Sequence, residues 1–176
     1  MLFLLLILPI LWLLIQCTSS GPLFYWQDRV GLNGKVFKMV KLRTMRVDAE
    51  KNGPQWTQPE DTRITWFGKF LRETHLDELP QCYNILIGQM SLIGPRPERP
   101  VFTTVLAKEL PNYHQRHLIK PGITGWAQIN QMYSASVTES GEKLRYDLAS
   151  IKNRGYWVDI KILVRALLLV VGFRGR

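Results

Sequence analysis

The sequence predicts an α+β fold, mainly helical, with a membrane-inserted helix at its N-terminus. Three features predict it: an apolar run that opens the chain, one strand–turn–strand signal at Asn33-Gly34, and helical spacing through most of the remainder. The 176 residues suffice for one domain with a core and fall short of two.

From Met1 to Ile15 nothing is polar, and the first charge is Asp28. A helix of ~15 residues reaches about 22 Å, short of a ~30 Å hydrocarbon core. Pro9 removes a backbone hydrogen bond in its middle and predicts a kink. Three readings compete: a secretory signal, which lacks both a basic start and a cleavage site; a full span that borrows Gln16 to Ser20; and a kinked helix that enters and leaves the membrane on one side. Residues 1–20 form this unit, and the absent basic flank suggests that it is truncated. Every Lys and Arg follows it, which places residues 21–176 on the cytoplasmic face.

The stretch "GPLFYWQDRVGLNGKVFKMVKLRTM" reads as a hairpin turning at Gly31–Gly34. Phe37, Met39 and Leu42 are expected inside, with Lys35, Lys38 and Lys41 in water. "RVDAEKNGPQWTQPEDTR" is a polar loop rich in Pro and Gly. "RITWFGKFLRETHL" has helical spacing, with Ile64, Phe67 and Leu71 on one face. A second helix is expected from about Glu78 to Ile87, with Leu79, Tyr83 and Leu86 inward. Pro95, Pro97 and Pro100 stiffen the loop after it, and Val101 to Leu110 is a short helix. "NYHQRHLIKPGITGWAQIN" is mixed and turns at Pro121-Gly122, and "SGEKLRYDLASIKNR" is helical. In "YWVDIKILVRALLLVVGFRGR" Lys161 and Arg165 lie four apart on an apolar helix headed by Trp157. That pattern suits a membrane interface, or else the core of a soluble domain.

A net charge of +9 calls for an anionic partner: nucleic acid, lipid headgroups or a phosphorylated substrate. Cys17 and Cys82 form neither a disulfide framework nor a zinc site, and they read as small buried hydrophobes. His114 and His117 are three apart without a third ligand. The acidic pair Asp77-Glu78 stands out in this basic chain. Pro80 belongs near a helix start, which makes Asp77 an N-cap, or pairs it with Thr74 in a capping box. The same geometry permits chemistry, because a helix N-terminus favours phosphate and an ionised carboxylate. An ionised Asp can attack phosphorus, and a neighbouring Glu can help to hold Mg²⁺. Arg72, Arg96 and Arg99 supply forks for phosphate oxygens.

With these residues in view, the chain resembles the bacterial sugar transferases, the monotopic polyprenyl-phosphate phosphoglycosyl transferases. The hairpin stretch, "FGKFLRETHLDELPQCYNILIGQMSLIGPRPERP", "HLIKPGITGWAQIN" and "YDLASIKNRGYWVDIKIL" carry the resemblance in order along nearly the whole chain. Tyr133 to Asn153 is most similar to the branch serving exopolysaccharide assembly. The resemblance implies transfer of a phosphosugar from a UDP-sugar to polyprenyl (undecaprenyl) phosphate, with release of UMP. It makes Asp77 the nucleophile of a covalent phosphosugar intermediate, with Mg²⁺ at Asp77 and Glu78. It gives Arg72 and the turn Pro95-Arg96-Pro97 to substrate, with Arg96 on the nucleotide or its diphosphate, and Lys41 and Arg43 as a further basic strand end.

It also implies a re-entrant helix kinked at Pro9, amphipathic interfacial helices around a cytosolic catalytic domain, and residence at the bacterial inner membrane. Membrane lipid is then a partner and nucleic acid is not, while a homo-oligomer stays open. Leu8 departs from the Ser usual before the membrane proline, which keeps full spanning open. Two rivals remain: a Mg²⁺-dependent phosphohydrolase using the same pair, and a non-catalytic basic membrane-bound module.

Overall fold

A computed structural model describes residues 2–58, 60–130 and 136–172. Helix α1 (Leu2–Thr18) runs on through Pro9 as one element. Its inner face sets Leu11 and Ile15 into a core shared with Leu42, Phe67 and Leu71, while Ile10, Trp12 and Leu13 face outward. At 17 residues it is about 26 Å long. Among the described residues, no helix is long and apolar enough to cross a membrane.

Strands β1 (Phe24–Val30) and β2 (Val36–Leu42) pair antiparallel, from Phe24 opposite Leu42 to Val30 opposite Val36. The Asn-Gly signal marks their turn, a single 3₁₀ turn at Leu32–Gly34 in which Asn33 and Gly34 have φ of 54° and 76°. Phe37, Met39 and Leu42 are buried as expected and Lys38 is exposed. Lys41, expected in water, is instead mostly buried against Glu78.

Helix α2 (Trp66–Glu73) begins at Thr65, whose Oγ1 accepts the Gly68 amide. Gly68 lets α2 lie against the chain beyond β2: a Cβ there would sit 2.0 Å from the Thr44 carbonyl oxygen. The helix expected over Glu78–Ile87 is divided into a 3₁₀ helix at Leu76–Gln81 and a short α3 at Cys82–Leu86. Pro80 lies inside the 3₁₀ helix, and the chain relaxes into α3 directly after it. The inward side is also different: Tyr83 and Leu86 are exposed, and Gln81 and Asn84 are buried. Asn84 accepts the Val40 amide and donates to the Lys38 carbonyl, at 3.1 and 2.8 Å, fastening α3 to the free edge of β2.

Two short parallel strands, β3 (Ser91–Ile93) and β4 (Gly122–Thr124), lie beyond. Between them come α4 (Pro100–Glu109) and a 3₁₀ helix at Tyr113–Leu118. Then follow α5 (Trp126–Asn130), α6 (Val137–Lys152), capped by a Ser136–Glu139 capping box, and α7 (Tyr156–Val171). The first residues of the Tyr133–Asn153 stretch lie outside the described residues. Ile162 of α7 is buried, whereas Val164, Leu167 and Leu168 are exposed, so α7 is not the core helix of the alternative reading. Cys17 and Cys82 are free and exposed, against the expectation of burial.

Candidate functional site

After α2 the chain reverses at His75, in the left-handed region with φ 57°. Thr74 ends α2, and its hydroxyl donates to the Phe70 carbonyl at 2.8 Å. The expected capping box is therefore absent, and Asp77 lies inside the 3₁₀ helix instead of capping it. This turn packs on β2 and carries Asp77 and Glu78 under the end of the hairpin.

Glu78 is gripped from two sides. Lys41 Nζ donates to its Oε1 at 2.9 Å, and the Arg96 guanidinium donates to both of its oxygens. Burial alone would raise the Glu78 pKa, but Arg96 and Lys41 hold it well below the usual carboxylate range. Its partner moves the other way. Asp77 is only 6% exposed, and burial, with help from Glu78, raises its pKa to about 6 against the pull of Lys41, Arg72 and Arg96. Burial likewise lowers Lys41 to about 8 despite Glu78. For Arg96 burial would lower the pKa, but Glu78, with help from Glu98 and Asp77, raises it. Two adjacent carboxylates thus differ sharply in how readily they ionise, the pattern expected where neighbouring groups do different chemical work.

Of the residues expected at the site, Asp77, Glu78, Lys41 and Arg96 converge in one cluster. Arg72 is largely buried beside it; its Nε donates to Thr44 Oγ1 at 2.9 Å while its charge acts on Asp77. Pro95 and Pro97 flank Arg96 in a turn that borders a small cavity of about 10 Å³ with Val30, Arg116 and His117, room for about one water. Arg43 turns instead toward α1, where its guanidinium donates to the Ser19 and Ser20 carbonyls. Arg99 forks onto Glu50, at 2.6 and 3.0 Å, and ties the loop after β2 to α4.

Sequence reasoning missed a second charged layer behind the turn. Arg116, beside the two histidines that drew attention, is buried and donates to Asp147 and to the Arg96 carbonyl. Glu98 meets Lys143 and lies 3.9 Å from Arg29. The partners are far apart in sequence; the one local signal is the four-residue spacing of Lys143 and Asp147 on α6.

Among the described residues, no three metal-binding side chains gather. The two carboxylates still suit Mg²⁺, which takes one or two such groups and fills its remaining positions with water and substrate phosphate. Glu78 Oε2, whose contact with Arg96 is a long 3.4 Å, is the less committed of its oxygens.

The sequence model of the family described as bacterial sugar transferase matches residues 1–173. The chain is 40% identical over 164 residues to the UDP-N-acetylgalactosamine-undecaprenyl-phosphate N-acetylgalactosaminephosphotransferase of Aeromonas hydrophila, covering 93% of this chain and 39% of that protein. It is 44% identical over 161 residues to the UDP-glucose:undecaprenyl-phosphate glucose-1-phosphate transferase of Xanthomonas campestris pv. campestris, covering 90% of this chain and 33% of that one. Against the Escherichia coli K12 protein of the same name, identity is 44% over 168 residues, covering 92% and 36%. The chain thus spans little more than a third of the length of these relatives.

Proposed function

The chain belongs to the bacterial sugar transferase family, and on that premise we propose that it transfers a phosphosugar from a UDP-sugar to polyprenyl phosphate through Asp77. The observation that carries the proposal is the divided pair: Glu78 is locked between Lys41 and Arg96, while Asp77 sits beside it in the same cationic surround.

In the first step the Asp77 carboxylate attacks the phosphorus that bears the sugar. The bond from that phosphorus to the bridging oxygen breaks, and UMP leaves with the electron pair. Arg96, Arg72 and Lys41 offset the negative charge that builds on the phosphate oxygens. In the second step an oxygen of polyprenyl phosphate attacks the same phosphorus, the bond to Asp77 breaks, and a polyprenyl diphosphate sugar leaves while the carboxylate returns ionised. A covalent intermediate lets two anionic substrates react in turn. Asp77 and Glu78 would hold Mg²⁺, which when bound neutralises phosphate charge. Exopolysaccharide or a related glycan is the product class that such a lipid-linked sugar would begin.

The test is purified protein with Mg²⁺, a panel of UDP-sugars and undecaprenyl phosphate in detergent. UMP release coupled to a lipid-linked sugar is the expected result. UMP release without lipid product would mean hydrolysis, and no turnover of any sugar would leave a non-catalytic membrane module.

A further inference from the structure

The turn at residues 95–98 has every carbonyl engaged. Gly122 N–H donates to the Pro95 oxygen at 3.0 Å, and Arg116 Nη2 to the Arg96 oxygen at 2.8 Å. Arg29 Nη1 donates to the Pro97 oxygen at 2.8 Å, and Val30 N–H to the Glu98 oxygen at 2.9 Å. The Glu98 side chain is held in turn by Lys143. Behind Arg116 stands Asp147, whose Oδ2 accepts from Arg116 Nε at 3.1 Å and Nη2 at 2.8 Å; both residues are at most 3% exposed. A fully buried ion pair is a poor source of stability, since desolvation offsets most of the attraction. This one has another consequence, because the nitrogen that meets Asp147 also grips the backbone of the residue that clamps Glu78.

We infer that Arg116 and Asp147 are positioning residues for the transfer reaction: they fix the backbone of Arg96 so that its guanidinium is held over Glu78. Lys143 and Asp147 are one helical turn apart on α6, so that helix braces the turn through two charges. Nε and Nη2 converge on one oxygen of Asp147, and Tyr113 Oη, 2.9 Å from Arg116 Nη1, settles the remaining arm. Arg96 is then preorganised before substrate arrives, which saves the cost of ordering it in the transition state.

The rate claim rests on the proposed phosphosugar transfer; the rigidity claim does not, and the experiment separates them. Hydrogen exchange of the Val30 and Gly122 amides in the wild-type chain is expected to be as slow as in the core, and fast exchange there would overturn the brace whatever the reaction. The double variant Arg116→Met/Asp147→Leu removes the pair without leaving a charge unpaired. It is expected to keep the wild-type thermal midpoint, to exchange those two amides at least tenfold faster, and to lower kcat at least tenfold with KM for the UDP-sugar changed less. Arg116→Lys, a smaller change that cannot reach Asp147 and the Arg96 carbonyl with one fork, is expected to show the same split. Wild-type kcat and amide protection in either folded variant would refute the inference.

Discussion

At Asp77 a local cap and a chemical centre make opposite predictions for one substitution. A capping carboxylate changed to Ala costs about 1 kcal/mol, changed to Asn it costs almost nothing, and either change leaves activity alone. The folded position of Asp77 instead raises its pKa to about 6 from 3.8. The folded chain therefore binds this proton more tightly than the unfolded one, and the stability so contributed is lost as pH rises through 6. Asp77→Asn removes that burden, so it should raise the thermal midpoint at pH 7.5 while lowering turnover at least ~10³-fold. Calorimetry and UMP release on the same preparation check both signs. In the wild-type chain, turnover should climb with pH through about 6, as the nucleophile ionises. Glu78→Gln should do the reverse to stability, because it leaves Lys41 and Arg96 buried without their shared partner. A loss of about 3–5 kcal/mol is expected, read from denaturant unfolding.

Among the elements, the hairpin and the helices α2 and α7 were legible because each follows a local rule: Asn33-Gly34 for the turn, apolar spacing for α2, and Lys161 and Arg165 four apart on an apolar run for α7. The 3₁₀ helix at Leu76–Gln81 was not, since Pro80 allows either a helix start or a tightened turn and only packing on β2 decides. The facing of α3 misled for a related reason. Tyr83 and Leu86 keep helical spacing yet lie outside, while Asn84 is inside because the edge of β2 needs hydrogen-bond partners. Close backbone approach also escapes sequence patterns. Gly68→Ala would drive a methyl into the Thr44 carbonyl; it should cost about 1–3 kcal/mol and shift Arg72, which leans on the Thr44 hydroxyl. Thermal unfolding and kcat/KM should therefore fall together. The turn that carries Arg96 yields a pH prediction. Burial would raise the pKa of Glu98, but Lys143, Arg116 and Arg29 lower it to about 2 from 4.5. A depressed carboxylate stabilises above 4.5 and loses that contribution as pH falls toward 2. Glu98→Gln should flatten the stability profile across that window, measured by urea unfolding at stepped pH.

Over the whole molecule, apolar surface is divided between two uses, and periodicity alone does not tell them apart. Leu11 and Ile15 of α1 enter the core, while Ile10, Trp12 and Leu13 on the same helix are exposed; α7 buries Ile162 and exposes Val164, Leu167 and Leu168. The Lys161 ammonium and the Arg165 guanidinium lie 5.5 and 5.9 Å from the Trp126 ring centroid, so the cations of α7 turn back toward α5 and leave an apolar outer face. Exposed apolar surface on this scale calls for a covering phase, and a lipid acceptor would meet the site from that phase. The two proposed half-reactions should then separate. Leu167→Glu/Leu168→Glu places two charges on the outer face of α7 and should weaken binding to anionic liposomes at least tenfold in flotation. UMP release from a UDP-sugar in a single turnover needs no lipid, so it should stay within about twofold of wild type in detergent. Transfer to undecaprenyl phosphate in liposomes should fall with binding. Equal loss of both steps would mean that α7 supports the site itself, and unchanged flotation would remove α7 from membrane contact.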